Sequence, residues 1–150
     1  MNYSLALRCI MRVSLLIALM FPESAVTAPT EPAMAVITAP SFSKAAIPIS
    51  TLRAIFGMRV QRWPDGTPVK VFVFGDDAPE HVSFCKDVLQ VFPHQLRMAW
   101  DRLVFAGLGQ YPEKVSTASE MLAKVSETPG AVGYVRTSEV NQDVHVLKIQ

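Results

Sequence analysis

One stretch constrains the chain more than any other: Val69–Phe92, VKVFVFGDDAPEHVSFCKDVLQVF. Its first six residues are almost continuously apolar, as in a strand covered on both faces. Gly75-Asp76-Asp77 breaks that run. Asp77 and Glu80 then stand at the spacing of a capping box, with Pro79 in the first turn, where its missing N–H costs little. Phe84, Cys85, Val88, Leu89 and Phe92 are expected to form the buried stripe of the helix that follows, through about Val91. A strand that turns directly into a helix is the repeating unit of α/β proteins. Its junction is where a small anion can meet free N–H groups.

The N-terminus belongs to a different physical class. Arg8 and Arg12 precede an uncharged apolar run, Val13–Phe21, which Pro22 ends, and small residues follow. This is the pattern of a secretory signal. The run is well short of the roughly 20 residues that a spanning helix needs. Val26-Thr27-Ala28 offers a cleavage site, and Ala33-Met34-Ala35 a later one. The expected organisation is a signal peptide over 1–28, a loose leader over 29–33 and one domain over 34–150. Cys9 lies before the apolar core and is not placed for lipid attachment, so the expected product is soluble, periplasmic or secreted, with no membrane insertion after cleavage.

Cutting after Ala28 removes Arg8, Arg12 and Glu23, so 14 basic side chains fall to 12 and 13 acidic ones to 12. A neutral domain argues against nucleic acid as a partner. Cys85 is then the one cysteine left, which excludes an internal disulfide. Its place on the apolar helix face predicts a buried, inert thiol.

Further elements follow from pattern. Met34–Thr38 reads as a strand. Ser50 or Thr51 is expected to cap a helix through Phe56, with Leu52, Ile55 and Phe56 inward. Trp63-Pro64-Asp65-Gly66 is a turn. From Pro93 a helix is expected to bury Leu96, Trp100, Leu103 and Val104, with Arg97 and Asp101 paired on its outer face. Thr117 and Glu120 cap another helix, which buries Ala118, Met121, Leu122 and Val125. Ala131–Val135 and Val144–Ile149 are the last strands. Strands alternating with helices predict an α/β domain with a mixed, mostly parallel sheet flanked by helices. Arg53, Arg59 and Arg62 crowd together, as a solvated basic face or as a partner-docking patch.

Catalytic constellations are not visible. His81, His94 and His145 are scattered, no cysteine pairs exist, and neither a P-loop nor G-x-S-x-G occurs. The expectation is no enzyme, no metal and no cofactor.

Several strings nevertheless resemble one family. Leu52–Gly57 (LRAIFG), Trp63, the 69–92 unit and above all Thr128–Val135 (TPGAVGYV) are similar to the phosphate ABC-transporter substrate-binding proteins, of the type II periplasmic-binding-protein fold. The likeness covers about Val36–Val135 and implies a single periplasmic-binding-protein-like lobe, the second of the two that close on a ligand in those proteins. The family places an Arg at the strand end and Asp-Gly-Ser-Gly-Thr at the helix start. An ungapped match puts Phe74 at the Arg and Ala78, Pro79 and Glu80 on Ser, Gly and Thr, so that Asp76 alone matches. The resemblance thus implies the fold and the compartment, with the phosphate ligands lost. Two roles follow. One is a protein-interaction or accessory module, binding an unknown partner or itself. The other is a solute-binding protein that reads phosphate or another small anion through Ser41, Ser43, Asp76, Asp77 and His81.

Overall fold

In the computed structural model, residues 33–42 and 46–150 are described. The signal and leader assignments over 1–32, and Ser43, lie outside the described residues.

Strand β1 (Met34–Thr38) is buried along its whole length. A two-residue strand β2 (Ala46–Ile47) leads into helix α1 (Ile49–Phe56). Leu52, Ile55 and Phe56 face inward as their i, i+3, i+4 spacing requires. The cap is not Ser50 or Thr51: it is Pro48, two residues before Ser50, and it makes no side-chain cap bond. The Pro64-Asp65 turn forms as its residues dictate. Gly66 N–H donates to Trp63 O at 2.8 Å, and Asp65 Oδ1 accepts from Thr67 N–H.

Strand β3 (Lys70–Phe74) runs into helix α2 (Pro79–Ser83), which continues as a π-helical turn over Phe84–Val88. That turn, with Leu89 N–H donating to Phe84 O at 3.0 Å, adds a residue to the helical period. Phe84, Cys85 and Leu89 remain buried, but the helix ends at Leu89, Gln90 has φ +54°, and Phe92 is the extended N-cap of the next helix, 56% exposed. The expected stripe therefore fails at its last member. Helix α3 (Pro93–Phe105) buries Leu96 and Trp100 and leaves Leu103 and Val104 half-buried.

Strand β4 (Glu113–Val115) has no counterpart in the sequence reading, since a three-residue EKV segment carries no apolar pattern. Helix α4 (Ala118–Glu127) is capped by Thr117, whose Oγ1 accepts from Glu120 N–H at 3.1 Å. The Glu120 carboxylate returns to Ser116 N–H, one residue earlier than a capping box would place it. Strand β5 (Ala131–Arg136) follows. The expected final strand divides into β6 (His145–Val146) and β7 (Lys148–Ile149) around buried Leu147.

The main sheet has the order β4-β3-β5-β1-β6, and β2 pairs with β7 apart from it. β3 runs parallel to β4 and β5. β1 is antiparallel to β5 and to β6. The sheet is mixed, and three of the five ladders among the described residues are parallel. Both faces are covered. Gly133 of β5 lies under Met121 and Val125 of α4, while the next residue, Tyr134, stacks on Phe84 at 3.8 Å on the other face. That double burial explains the unbroken apolar runs of β3 and β5. The described residues form one compact unit, and no helix among them is long and apolar enough to cross a membrane.

Candidate functional site

The candidate site is the Gly75–Glu80 loop, where β3 ends and α2 begins. Ala78 is the N-cap, with no side-chain cap bond, so Asp77 does not form the expected capping box and stands exposed. Glu80 is turned to another partner. Its Oε1 accepts from Arg136 Nη2 at 2.9 Å and Nε at 3.2 Å. Arg136 ends β5, whose C-terminal end lies level with that of β3. The backbone N–H of Glu80 and the guanidinium together hold this carboxyl below its ordinary pKa.

Asp76 is the centre of a second cluster. Its Oδ2 accepts from Arg97 Nε at 2.8 Å and from Nη2 as well. Its Oδ1 lies 3.5 Å from Lys114 Nζ on β4, an ion-pair distance without a hydrogen bond. Burial raises the carboxyl pKa. The Arg97 hydrogen bonds and the charges of Arg97 and Lys114 outweigh that and leave it below the usual carboxylate value. The guanidinium of Arg97 is held between two rings, with Cζ 5.3 Å from the Trp100 centroid and 5.4 Å from that of Tyr111. The expected Arg97–Asp101 pair is therefore not what forms: Arg97 serves Asp76, and Asp101 accepts from Tyr111 OH at 2.8 Å.

Beneath the loop, His81 is 1% exposed. Its Nδ1 lies 2.6 Å from Tyr134 OH, and that oxygen also accepts from Phe74 N–H at 3.1 Å. Its Nε2 lies 3.5 Å from Cys85 Sγ. One proton arrangement satisfies the whole chain: Tyr134 O–H donates to Nδ1, and Nε2–H donates to sulfur. Burial lowers the His81 pKa and pushes the Cys85 thiol up to about 12. A neutral imidazole that donates to a protonated thiol is not a nucleophile–base pair. The i, i+4 spacing of His81 and Cys85 was legible in the sequence and marks a buried structural network.

The structure does not bring the sequence-predicted ligand residues together. Asp76 and Asp77 share the loop. His81 is buried below it and committed to Tyr134. Ser41 is exposed in the turn after β1. Thr38 pairs with Val132, and Met34 with Arg136, so the β1 C-terminus lies at the sheet end opposite Asp76. Ser41 and the 75–80 loop cannot line one small-ligand site. Sequence reasoning missed Arg97, Lys114 and Arg136, because each comes from a separate element and no local spacing announces it.

Comparison with known proteins gives the fold. No protein-family model matches this chain, and no curated protein matches it. Solved structures do. An ABC-type phosphate transport receptor from Vibrio cholerae matches 78% of this chain and 46% of its own, with a TM-score of 0.62 at 13% identity. The chain has the fold of one part of such receptors. A phosphate ABC transporter substrate-binding protein from Clostridium perfringens, described as putative in its structure and solved with bound phosphate, gives 0.63 at 15% identity, over 78% of this chain and 44% of that one. PstS from Borrelia burgdorferi gives 0.60 at 20%, over 79% and 47%. The chain thus spans less than half the length of each, the coverage expected for one lobe of a two-lobed protein. The expected periplasmic-binding-protein-like α/β lobe is observed.

Proposed function

We propose that the chain is an exported, non-catalytic binding domain that has the fold of a phosphate-receptor lobe but works by meeting another protein. The observation that supports this reading is the occupancy of the loop by the chain's own charges. Asp76 takes Arg97 and Lys114, Glu80 takes Arg136, and Pro79 contributes no N–H. A free phosphate would have to displace a carboxylate from two cations while lying beside Asp77 and Glu80. Titration calorimetry of the purified protein with phosphate is expected to give no binding heat at millimolar concentration. Micromolar affinity would overturn the reading. Lys114, about half exposed and held to Asp76 without a hydrogen bond, favours weak anion binding as the second reading. The same titration with sulfate and other oxyanions decides between them.

Export is part of the proposal, and the position of β1 supports the earlier cleavage site. Cutting after Ala35 would remove Met34 and Ala35, both buried and paired with Arg136 and Val135. The mass of the chain recovered from the exported fraction is expected to correspond to a start at Pro29. A start at Val36, or full-length protein retained in the cytoplasm, would contradict it.

A further inference from the structure

A groove of about 420 Å³ lies between the end of α1 and one side of α3. Leu89, Leu96 and Leu103 contribute to its floor, and Arg53, Arg59 and Arg102 stand around it. No carboxylate lines it. Arg53 bonds to neutral acceptors, the Leu89 carbonyl at 2.6 Å and Gln90 Oε1 at 2.7 Å, so its charge is not cancelled. Arg59 and Arg102 are exposed and form no ion pair among the described residues. The structure thus sorts the arginines that the sequence crowds together. Arg62 folds onto its own turn by donating to Gly66 O at 2.9 Å, and Arg102 takes its place beside Arg53 and Arg59.

We infer that this groove docks an acidic peptide segment of a partner protein, with an apolar side chain anchored on the leucine floor and carboxylates on the three guanidiniums. The inference rests on the interaction-module reading and gives that module its surface. Charge complementarity selects the acidic partner: guanidiniums bind carboxylates in a planar, two-pronged geometry, and an unneutralised trio above an apolar floor suits alternating acidic and apolar residues. The extent of the surface selects a peptide over a small molecule. At about 100° per residue, Met98 and Phe105 fall on the edge of α3 next to Arg102. They are 48% and 85% exposed, so the apolar surface runs on past the cavity. Arg97 projects from the opposite side of α3, so the groove is separate from the Asp76 cluster.

The test uses a fluorescein-labelled peptide in which Leu and Phe alternate with Glu, together with counterparts carrying Gln or Lys in place of Glu. Saturable anisotropy is expected with the Glu peptide, weakening with salt, and none with the Lys peptide. Arg59→Glu and Arg102→Glu, both on the surface, are each expected to weaken binding ~10-fold or more while leaving the circular dichroism spectrum and melting temperature unchanged. Ala99→Phe, which fills the groove without changing charge, is expected to weaken it as well. No binding of the Glu peptide, equal binding of the Gln peptide, or indifference to both charge reversals would overturn the groove. Octanoate binding more tightly than the peptide, and losing affinity with the same substitutions, would overturn the peptide as occupant. Phosphate calorimetry reads the other side of the domain, so failure of the groove and failure of the interaction-module reading are distinguishable.

Discussion

Gly130→Ala is expected to cost the fold about 3–5 kcal/mol, the range of severe core lesions. Two effects add. Gly130 has φ +75°, where an L-residue pays roughly 1–2 kcal/mol. A Cβ there would also sit 2.2 Å from Pro68 O and 2.9 Å from Thr67 Cγ2. The first of these is backbone and cannot rotate away. The chains meet closely because Gly130 O accepts from Trp63 Nε1 at 2.9 Å and from Lys70 N–H at 3.1 Å, which locks the entry to β5 against the entry to β3. A melting temperature lower by ~10 °C or more is expected for a domain of this size. Gly66→Ala is the control. Its φ is +88°, and nothing lies within 4 Å of the added Cβ, so it should show the conformational cost alone. Equal losses for the two variants would refute the steric part of the argument.

Tyr134→Phe is expected to cost about 2–4 kcal/mol, although it removes a single oxygen. That oxygen satisfies Phe74 N–H and His81 Nδ1 in the core, and its loss leaves both buried without a partner. His81→Phe in the Tyr134→Phe background should recover about 1 kcal/mol or more relative to the sum of the single changes, because one orphaned group disappears with its partner. The pair also predicts a pH effect. Burial depresses the His81 pKa in the folded state, so the unfolded chain binds the extra proton first. Stability therefore falls as pH drops below the unfolded His value of about 6.5. His81→Phe should flatten that part of the curve. Urea melts between neutral and mildly acidic pH check both expectations, and an unchanged slope would show that His81 is protonated in the native state.

The string Thr128–Val135 carried most of the resemblance, and the structure gives it a physical meaning. Gly130 permits the strand entry, Gly133 leaves room for Met121 and Val125, and Tyr134 satisfies the buried polar groups opposite. Such requirements are local in sequence and readable there, as were the inward faces of α1 and α4. Two kinds of feature were not. Phe92 left its expected stripe because the helix ends at Leu89 and the chain turns at Gln90, whereas a helical wheel presumes that the helix continues. The charge partners of the loop were assigned by proximity along the chain, Arg97 to Asp101 and Glu80 to its own helix start, whereas the fold delivers Arg97 to Asp76 and Arg136 to Glu80. A single sequence reports what an element needs to form. It does not report which distant side chain reaches it, and the candidate site consists almost entirely of such reaches.

The position of β1 also governs the order in which the protein can assemble. The first strand among the described residues sits between β5 and β6, the fifth and sixth, and the Thr38 hydroxyl reaches the His145 carbonyl across 107 residues of sequence. Contacts that remote are slow to form, because a long loop must close before any pairing compensates its entropy. Until the C-terminal strands exist, MAVIT is an apolar, β-branched segment with two unpaired edges. The domain therefore completes its sheet only once β6 has been made. During that interval β1 is an open template for wrong strand pairing.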